Sequence, residues 1–188
     1  MMIELKHSMK TICAFITLLS MLVISAPAAA VDKLADQAKQ AIEAFQKADS
    51  GMAKLFTNSI GYVVFPSVGK GGLVFGGAHG KGLVYQRGRL IGRSALTQIT
   101  FGAQVGGQSF SEVIFFENDA VLEHFKESNV EMSAQVSAVA VAEGAAQNAR
   151  YVQGVAVFAR PLRGLMAEAS IGGQKLRFVP LDKKSGNQ

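Results

Sequence analysis

From Gly61 onward, the sequence consists largely of short apolar runs that are separated or interrupted by glycine. Many of these runs alternate with the two-residue period that is typical of β-strands. The chain has 20 glycines, and a glycine within a strand supplies a bend, a bulge or a close approach of two backbones. A flat sheet would not need them, so we predict a curved, mainly antiparallel sheet. The predicted strands are residues 62–65, 73–75, 83–85, 90–91, 98–105, 112–116, 132–142, 152–159, 165–171 and 176–179.

Helical patterns precede these strands and interrupt them once. Apolar residues recur every three or four positions from Leu34 to Ala48, and Asp32 is a suitable N-cap for this helix. A shorter helix is predicted before Asn58, and a further one at 119–127. Helices followed by many strands indicate an α+β fold, in which N-terminal amphipathic helices pack on the glycine-rich sheet. The segment 134–146 fits helix by its alanines and strand by its alternation, and we interpret it as strand.

The first 30 residues have the three zones of a secretory signal. Lys6 and Lys10 precede an apolar run at 12–24, and Ala28 and Ala30 suit a signal peptidase. The run is shorter than the roughly 20 residues that span a bilayer. We therefore predict a cleaved signal peptide at 1–30, one domain at 31–183 and a tail at 184–188. This organisation implies a periplasmic or secreted protein, with peripheral attachment to an envelope membrane as an option.

Composition narrows the chemistry that an exported form could perform. The single cysteine, Cys13, lies within the predicted signal, so the mature chain would have no disulfide, no reactive thiol and no cysteine-ligated metal. The formal net charge of the whole chain is +5. Such a charge favours contact with anionic surfaces, although solubility alone also explains it.

The glycine-rich motifs do not match nucleotide-binding loops. A phosphate loop needs a glycine and a hydroxyl at the positions that Phe75 and Gly82 occupy. The dinucleotide fingerprint needs glycine where Gln104 stands. We predict neither a nucleotide cofactor nor a nucleic-acid partner.

Catalytic and metal-binding patterns are also missing from the sequence. It has no nucleophile elbow, and His79, in a predicted glycine turn, has no carboxylate at ligand spacing. His124 is interpreted as a partly exposed helix residue. Glu112, Glu117 and Asp119 form an acidic group that we expect to be solvated, as carboxylates at strand ends usually are. The sequence therefore predicts no catalytic residue, no cofactor and no metal site.

Cations beside glycines form the most coherent remaining constellation. Glycine turns can present side-chain cations together with backbone N–H groups to a single phosphate. The alternative is that these charges keep sheet edges from aggregating. The residues are Lys70, Lys81, Arg87, Arg89 and Arg93.

Several ordered motifs resemble the SYLF domain family, also called the Ysc84 actin-regulator family. They are Gly61-Tyr-Val-Val-Phe-Pro, Lys70-Gly-Gly, Gly76-Gly-Ala-His-Gly-Lys-Gly and Gly102-Ala-Gln-Val-Gly-Gly, and residues 154–173 resemble the closing strands of the family. The resemblance covers roughly residues 34–180. It implies a lipid-binding module whose eukaryotic members use a basic amphipathic N-terminal helix, and some of which bind actin. Here that role would fall on Lys33, Lys39, Lys47 and Lys54.

The sequence also departs from the family's pattern. It has Gly92-Arg-Ser-Ala-Leu where eukaryotic members often have Trp-Ser-x-Pro. An exported protein would meet neither actin nor phosphoinositides. We therefore predict a non-enzymatic domain that binds anionic phospholipid surfaces through the basic glycine turns, the basic N-terminal helix or both.

The alternative is a structural or protein-interaction module that binds an envelope protein through an edge strand. The N-terminal helix is itself ambiguous, because a core-facing helix and a membrane-lying helix need the same apolar stripe. Burial of Leu34, Phe45 and Leu55 would distinguish the two.

Overall fold

The computed structural model describes residues 26–127, 130–132 and 138–181. The chain divides into two compact units, one up to Lys33 and one from Leu34 onward. The described elements are helices α1 (Ala26–Ala48), α2 (Met52–Asn58) and α3 (Asp119–Glu127), a 3₁₀ turn (Ala146–Asn148), and strands β1 (Gly61–Gly72), β2 (Phe75–Gln86), β3 (Arg89–Phe116), β4 (Val130–Met132), β5 (Val139–Ala140) and β6 (Val155–Pro180). The predicted α+β class and the mainly antiparallel sheet are confirmed.

The glycine-rich stretches lie within strands more often than the sequence suggested. Residues 76–82, which separate the predicted strands 73–75 and 83–85, form part of β2. Three of the predicted strands merge into β3, which is 28 residues long. Arg87 and Gly88 form the turn between β2 and β3. Both residues have positive φ, as the two central residues of a tight hairpin turn often do. Glycine accepts extended backbone as well as turns, so its presence alone did not separate the two.

Strand pairing makes the sheet fold round on itself. β2 pairs with the first part of β3, from Arg89 to Phe101, and β1 pairs with its last part, from Gly106 to Phe116. β1 and β2 also pair with each other. Each of these three strands is therefore bonded to the other two, which requires a strong bend. β6 follows the other edge of β3.

The inner face of this folded sheet encloses one hydrophobic core. Val63, Val84, Leu96 and Ile114 point inward from the strands. Helix α3 adds Leu122 and Phe125, both fully buried or nearly so. Its bounds are those predicted from sequence.

The outer face carries a second core beneath the N-terminal helices. The helical residues Ala38, Phe45 and Phe56 are buried against strand residues, and Leu34 and Leu55 pack partly buried beside them. The apolar stripe of α1 from Leu34 onward therefore faces the sheet. The strand residues of this core are Tyr62, Val64, Leu83, Val113, Phe115, Ala156 and Phe158.

Two local predictions need correction. Asp32 does not cap α1, since the helix begins at Ala26 and Asp32 lies inside it. The strand predicted at 134–146 is only the two-residue β5, followed by the 3₁₀ turn, and residues 133–137 lie outside the described part. Asp49 accounts for part of this difference. Its carboxylate accepts hydrogen bonds from the backbone N–H groups of Ala146 and Gly51 at 2.6 and 2.9 Å, which fixes the loop against the end of α1.

Candidate lipid-binding surface

Six large apolar side chains lie exposed at one end of the sheet. Phe75 and Leu73 are each 68% exposed, and the others are between 57% and 65% exposed. Phe75 pairs with Phe101 across β2 and β3, and their rings meet edge to face with centroids 5.3 Å apart. We call this cluster the apolar end. Its members are Leu73, Val74, Phe75, Ile99, Phe101 and Val105.

Next to the apolar end, the outer face of the sheet consists largely of glycines. Gly71 pairs with Gly77 on β2 and with Gly107 on β3. A side chain built at Gly69 would meet no atom within 4 Å. A shallow depression of about 530 Å³ lies here, lined also by Ser109 and Arg163 among others. This part of the outer face is therefore open, in contrast to the part beneath α1 and α2.

Cations occupy alternate positions on the same outer face. Lys81 on β2 and Arg177 on β6 both lie opposite Ala95 of β3. The intervening residues Ser94 and Leu96 are buried on the inner face, so strand alternation places these cations outside. We call Lys81, Arg93, Lys175 and Arg177 the basic band; all but the half-buried Arg93 are exposed.

The five predicted glycine-turn cations do not form one cluster. Lys81 and Arg93 share the basic band, but both lie within strands. Arg87 lies in the β2–β3 turn and forms an exposed salt bridge with Asp119 at 2.9 Å. Arg89 is exposed at the start of β3.

Lys70 differs from the other four cations. It lies opposite Ala78, whose side chain is buried in the inner core. Its positive charge acts on the buried carboxyl of Glu112 and lowers the pKa of that group. Lys70 is therefore part of the inner face rather than of a basic turn, and the two cations that sequence reasoning missed are Lys175 and Arg177.

The helical lysines lie on a surface of mixed charge. Asp36 and Glu43 are exposed on α1 together with its lysines, so this polar face carries both signs. Since the apolar stripe is buried from Leu34 onward, the helix offers little apolar surface for a membrane. The four lysines, all exposed, are Lys33, Lys39, Lys47 and Lys54.

Glu112 is fully buried, so the expectation that it is solvated was wrong. Gln174 donates a hydrogen bond to its Oε2 at 3.1 Å, whereas Oε1 has no hydrogen-bond partner. Burial raises the pKa of this carboxyl to about 7, against the opposing effects of Gln174 and Lys70. Glu117 and Asp119 are exposed, as predicted.

Two histidines lie in the described part of the chain. His79 and His124 are both exposed, and His79 lies in β2 rather than in a turn. Within residues 26–127, 130–132 and 138–181, no group of three potential ligands could hold a metal ion. No described helix is both long enough and apolar enough to cross a membrane.

Comparison with known proteins finds similarity to one family. Residues 97–179 match the family model described as Ysc84, Las17-binding protein actin regulator. The chain is also 32% identical over 125 residues to Beta cell expansion factor A of Aeromonas veronii. That alignment covers 64% of this chain and 46% of the relative, so the match spans about half the length of the curated relative. The chain is therefore similar to the Ysc84 (SYLF) family over residues 97–179, which are fewer than half of its 188 residues.

Proposed function

We propose that this protein is an exported, non-enzymatic domain that binds anionic phospholipid surfaces, in the periplasm or outside the cell. The observation that carries the proposal is the apolar end. Monomeric soluble proteins rarely expose a contiguous apolar patch rimmed by polar residues unless it contacts a partner or a membrane. Glycines and cations lie beside the apolar end on the outer face. The cations favour a negatively charged membrane over a neutral surface.

The energy available from the apolar end is sufficient for reversible membrane binding. Complete burial of one large apolar side chain contributes about 1.5–3 kcal/mol. Six partly exposed side chains therefore provide on the order of 10 kcal/mol, before the cost of losing translational and rotational freedom. Phe75 and Phe101 contribute most, since they are the largest and already pack against each other.

This proposal moves the contact away from the N-terminal helix. From Leu34 onward the helix uses its apolar stripe in the second core, and its exposed lysines alternate with acids. Basic charge without apolar surface gives weak, salt-sensitive attraction. The apolar end supplies the missing hydrophobic contact.

Vesicle co-sedimentation tests the proposal directly. The protein is expected to bind phosphatidylglycerol-containing vesicles more tightly than phosphatidylcholine vesicles. The double variant Phe75→Ser, Phe101→Ser should lose at least tenfold in affinity for both. Tyr151→Ser is the matched control, because Tyr151 is an exposed aromatic residue outside the apolar end.

Two outcomes would contradict the proposal. Absence of binding to any vesicle at low salt would reject lipid binding, and cross-linking to an envelope protein would then favour the interaction-module alternative. Equal binding by the double variant and the wild type would reject the apolar end as the contact surface.

A further inference from the structure

The basic band and part of the apolar end share one face of the sheet. Ile99 and Phe101 occupy the same alternate positions of β3 as Ala95 and Thr97. Ala95 lies between Lys81 and Arg177, and Thr97 lies between His79 and Lys175. Along these strands the outer face therefore changes from apolar to basic. Near the cations the described strands β2, β3 and β6 bring no acidic residue to this face, and Glu131 of β4 lies opposite Lys175 in register.

The separation between the apolar end and the basic band can be measured along β3. Counting along β3, Thr97, which pairs with Lys175, is four residues from Phe101, and Ala95, which pairs with Lys81 and Arg177, is six. At about 3.3 Å per residue, these separations are about 13 and 20 Å. Arg93 lies two residues further, opposite the helix-covered Leu83.

These separations constrain how the sheet can meet a bilayer. Apolar side chains enter about 5–10 Å, and the headgroup layer adds roughly 5–8 Å on each side. An upright sheet would hold Lys81 and Arg177 beyond the phosphates. A tilt of about 45° reduces the two separations to about 9 and 14 Å, which matches the phosphate layer, and the long cationic side chains extend the reach further.

We propose that the outer face of β2, β3 and β6 lies tilted against the membrane, with Lys81, Lys175 and Arg177 binding the phosphates of anionic glycerophospholipids. This inference rests on the proposed function and adds the residues and the orientation. Lys175 contributes least, because Glu131 lies opposite it. Arg93 is half-buried beside the helices and does not take part.

Charge reversal on two faces provides the first test. Lys81→Glu combined with Arg177→Glu should reduce affinity for phosphatidylglycerol vesicles by on the order of 100-fold at low salt, since each cation near an anionic surface contributes about fivefold and reversal exceeds removal. Binding to phosphatidylcholine vesicles should not change. The control, Lys39→Glu with Lys47→Glu, makes the same charge change on α1 and should have an effect below threefold.

Tryptophan fluorescence tests the orientation separately. The chain contains no tryptophan, so single substitutions report one position each. Phe101→Trp should shift to the blue and be shielded from aqueous quenchers on vesicles. Thr97→Trp should be partly shielded, and Glu117→Trp should not change.

The outcomes separate this inference from the proposed function. If the wild type binds no vesicle, the function itself is rejected. Suppose that the wild type binds vesicles and the Phe75→Ser, Phe101→Ser variant binds them more weakly. If the charge reversals on the sheet and on α1 then have equal effects, or no effect, only the role of the basic band is rejected. An unshielded Thr97→Trp would reject the tilt. Lys81→Gln with Arg177→Gln replaces the reversal variant if that variant does not fold, with a loss of about 25-fold expected.

Discussion

The two halves of the outer sheet face have the same strands and opposite surroundings. Leu83 and Phe75 occupy equivalent alternate positions of β2, yet Leu83 is fully buried and Phe75 is 68% exposed. The difference is the cover, because α1 and α2 pack over Leu83 and leave the other half of the face open. An apolar alternation along a strand therefore shows that a face can be buried, and the neighbouring elements decide whether it is.

The largest expected difference between the halves concerns phenylalanine truncation. Phe45→Ala should destabilise the fold by about 3–5 kcal/mol, because it leaves a cavity between α1 and the sheet. Phe75→Ala should change the free energy of unfolding by less than about 0.5 kcal/mol, as surface substitutions usually do. Urea unfolding followed by circular dichroism measures both. A comparable loss in the two variants would mean that Phe75 is buried in solution.

The inner face of the sheet lies beneath both halves and encloses the carboxyl of Glu112. This buried carboxyl should make the free energy of unfolding depend on pH. The folded pKa of Glu112 is raised to about 7 from an ordinary value of 4.5, so the folded state holds this proton more tightly than the unfolded state. The contribution of Glu112 to stability is therefore greatest below pH 4.5 and is lost as the pH rises to about 7. The expected loss is about 3 kcal/mol.

Glu112→Gln provides the control for this pH dependence. The amide cannot ionise, so the variant should be more stable than the wild type at pH 8 and should lack this part of the pH profile. Thermal unfolding at several pH values measures the difference. Identical profiles for the two proteins would show that Glu112 is not enclosed.

A smaller difference is expected for two glycines. A side chain added at Gly82 would point to the enclosed inner face beneath the covered half and come within 2.7 Å of the Phe65 ring and the Val64 carbonyl oxygen, so Gly82→Ala should cost about 1–3 kcal/mol. Gly69→Ala, in the open half, meets no neighbour and should be neutral or stabilising by about 0.5 kcal/mol. Denaturant midpoints of the pair measure this, and equal destabilisation would show that the open half is covered in solution.

The sequence predicted what depends on local pattern. Helix α3 was predicted with the right bounds, and the 3.6-residue period from Leu34 identified the face of α1 that is buried. The merging of predicted strands into β3 was missed, because continuity depends on the partner β6 along its whole length. The apolar end was missed because residues 73–75 look like any buried strand when nothing indicates which half the helices cover.

The charges were harder to assign than the helices. Lys81 and Arg93 were identified, but Lys175 and Arg177 come from a strand distant in sequence, and only the pairing with β3 brings them alongside. Lys70 has its side chain on the inner face because a bulge between Phe65 and Val68 shifts the alternation of β1. Glu112 faces inward because it alternates with the inner-core residues Ile114 and Phe116 of β3. Bulges of this kind change which residues face inward without any clear sequence signal.

The open surface around Gly69 and residues 73–75 has a consequence for which parts of the domain tolerate sequence change. Residues that touch no core can be exchanged at little cost in folding, whereas changes beneath the helices cannot. The end of the hairpin formed by β1 and β2 can thus be exchanged while the long pairing of β3 with β6 is kept. Residues 73–75 can therefore be replaced by other sequences without redesign of the rest of the domain.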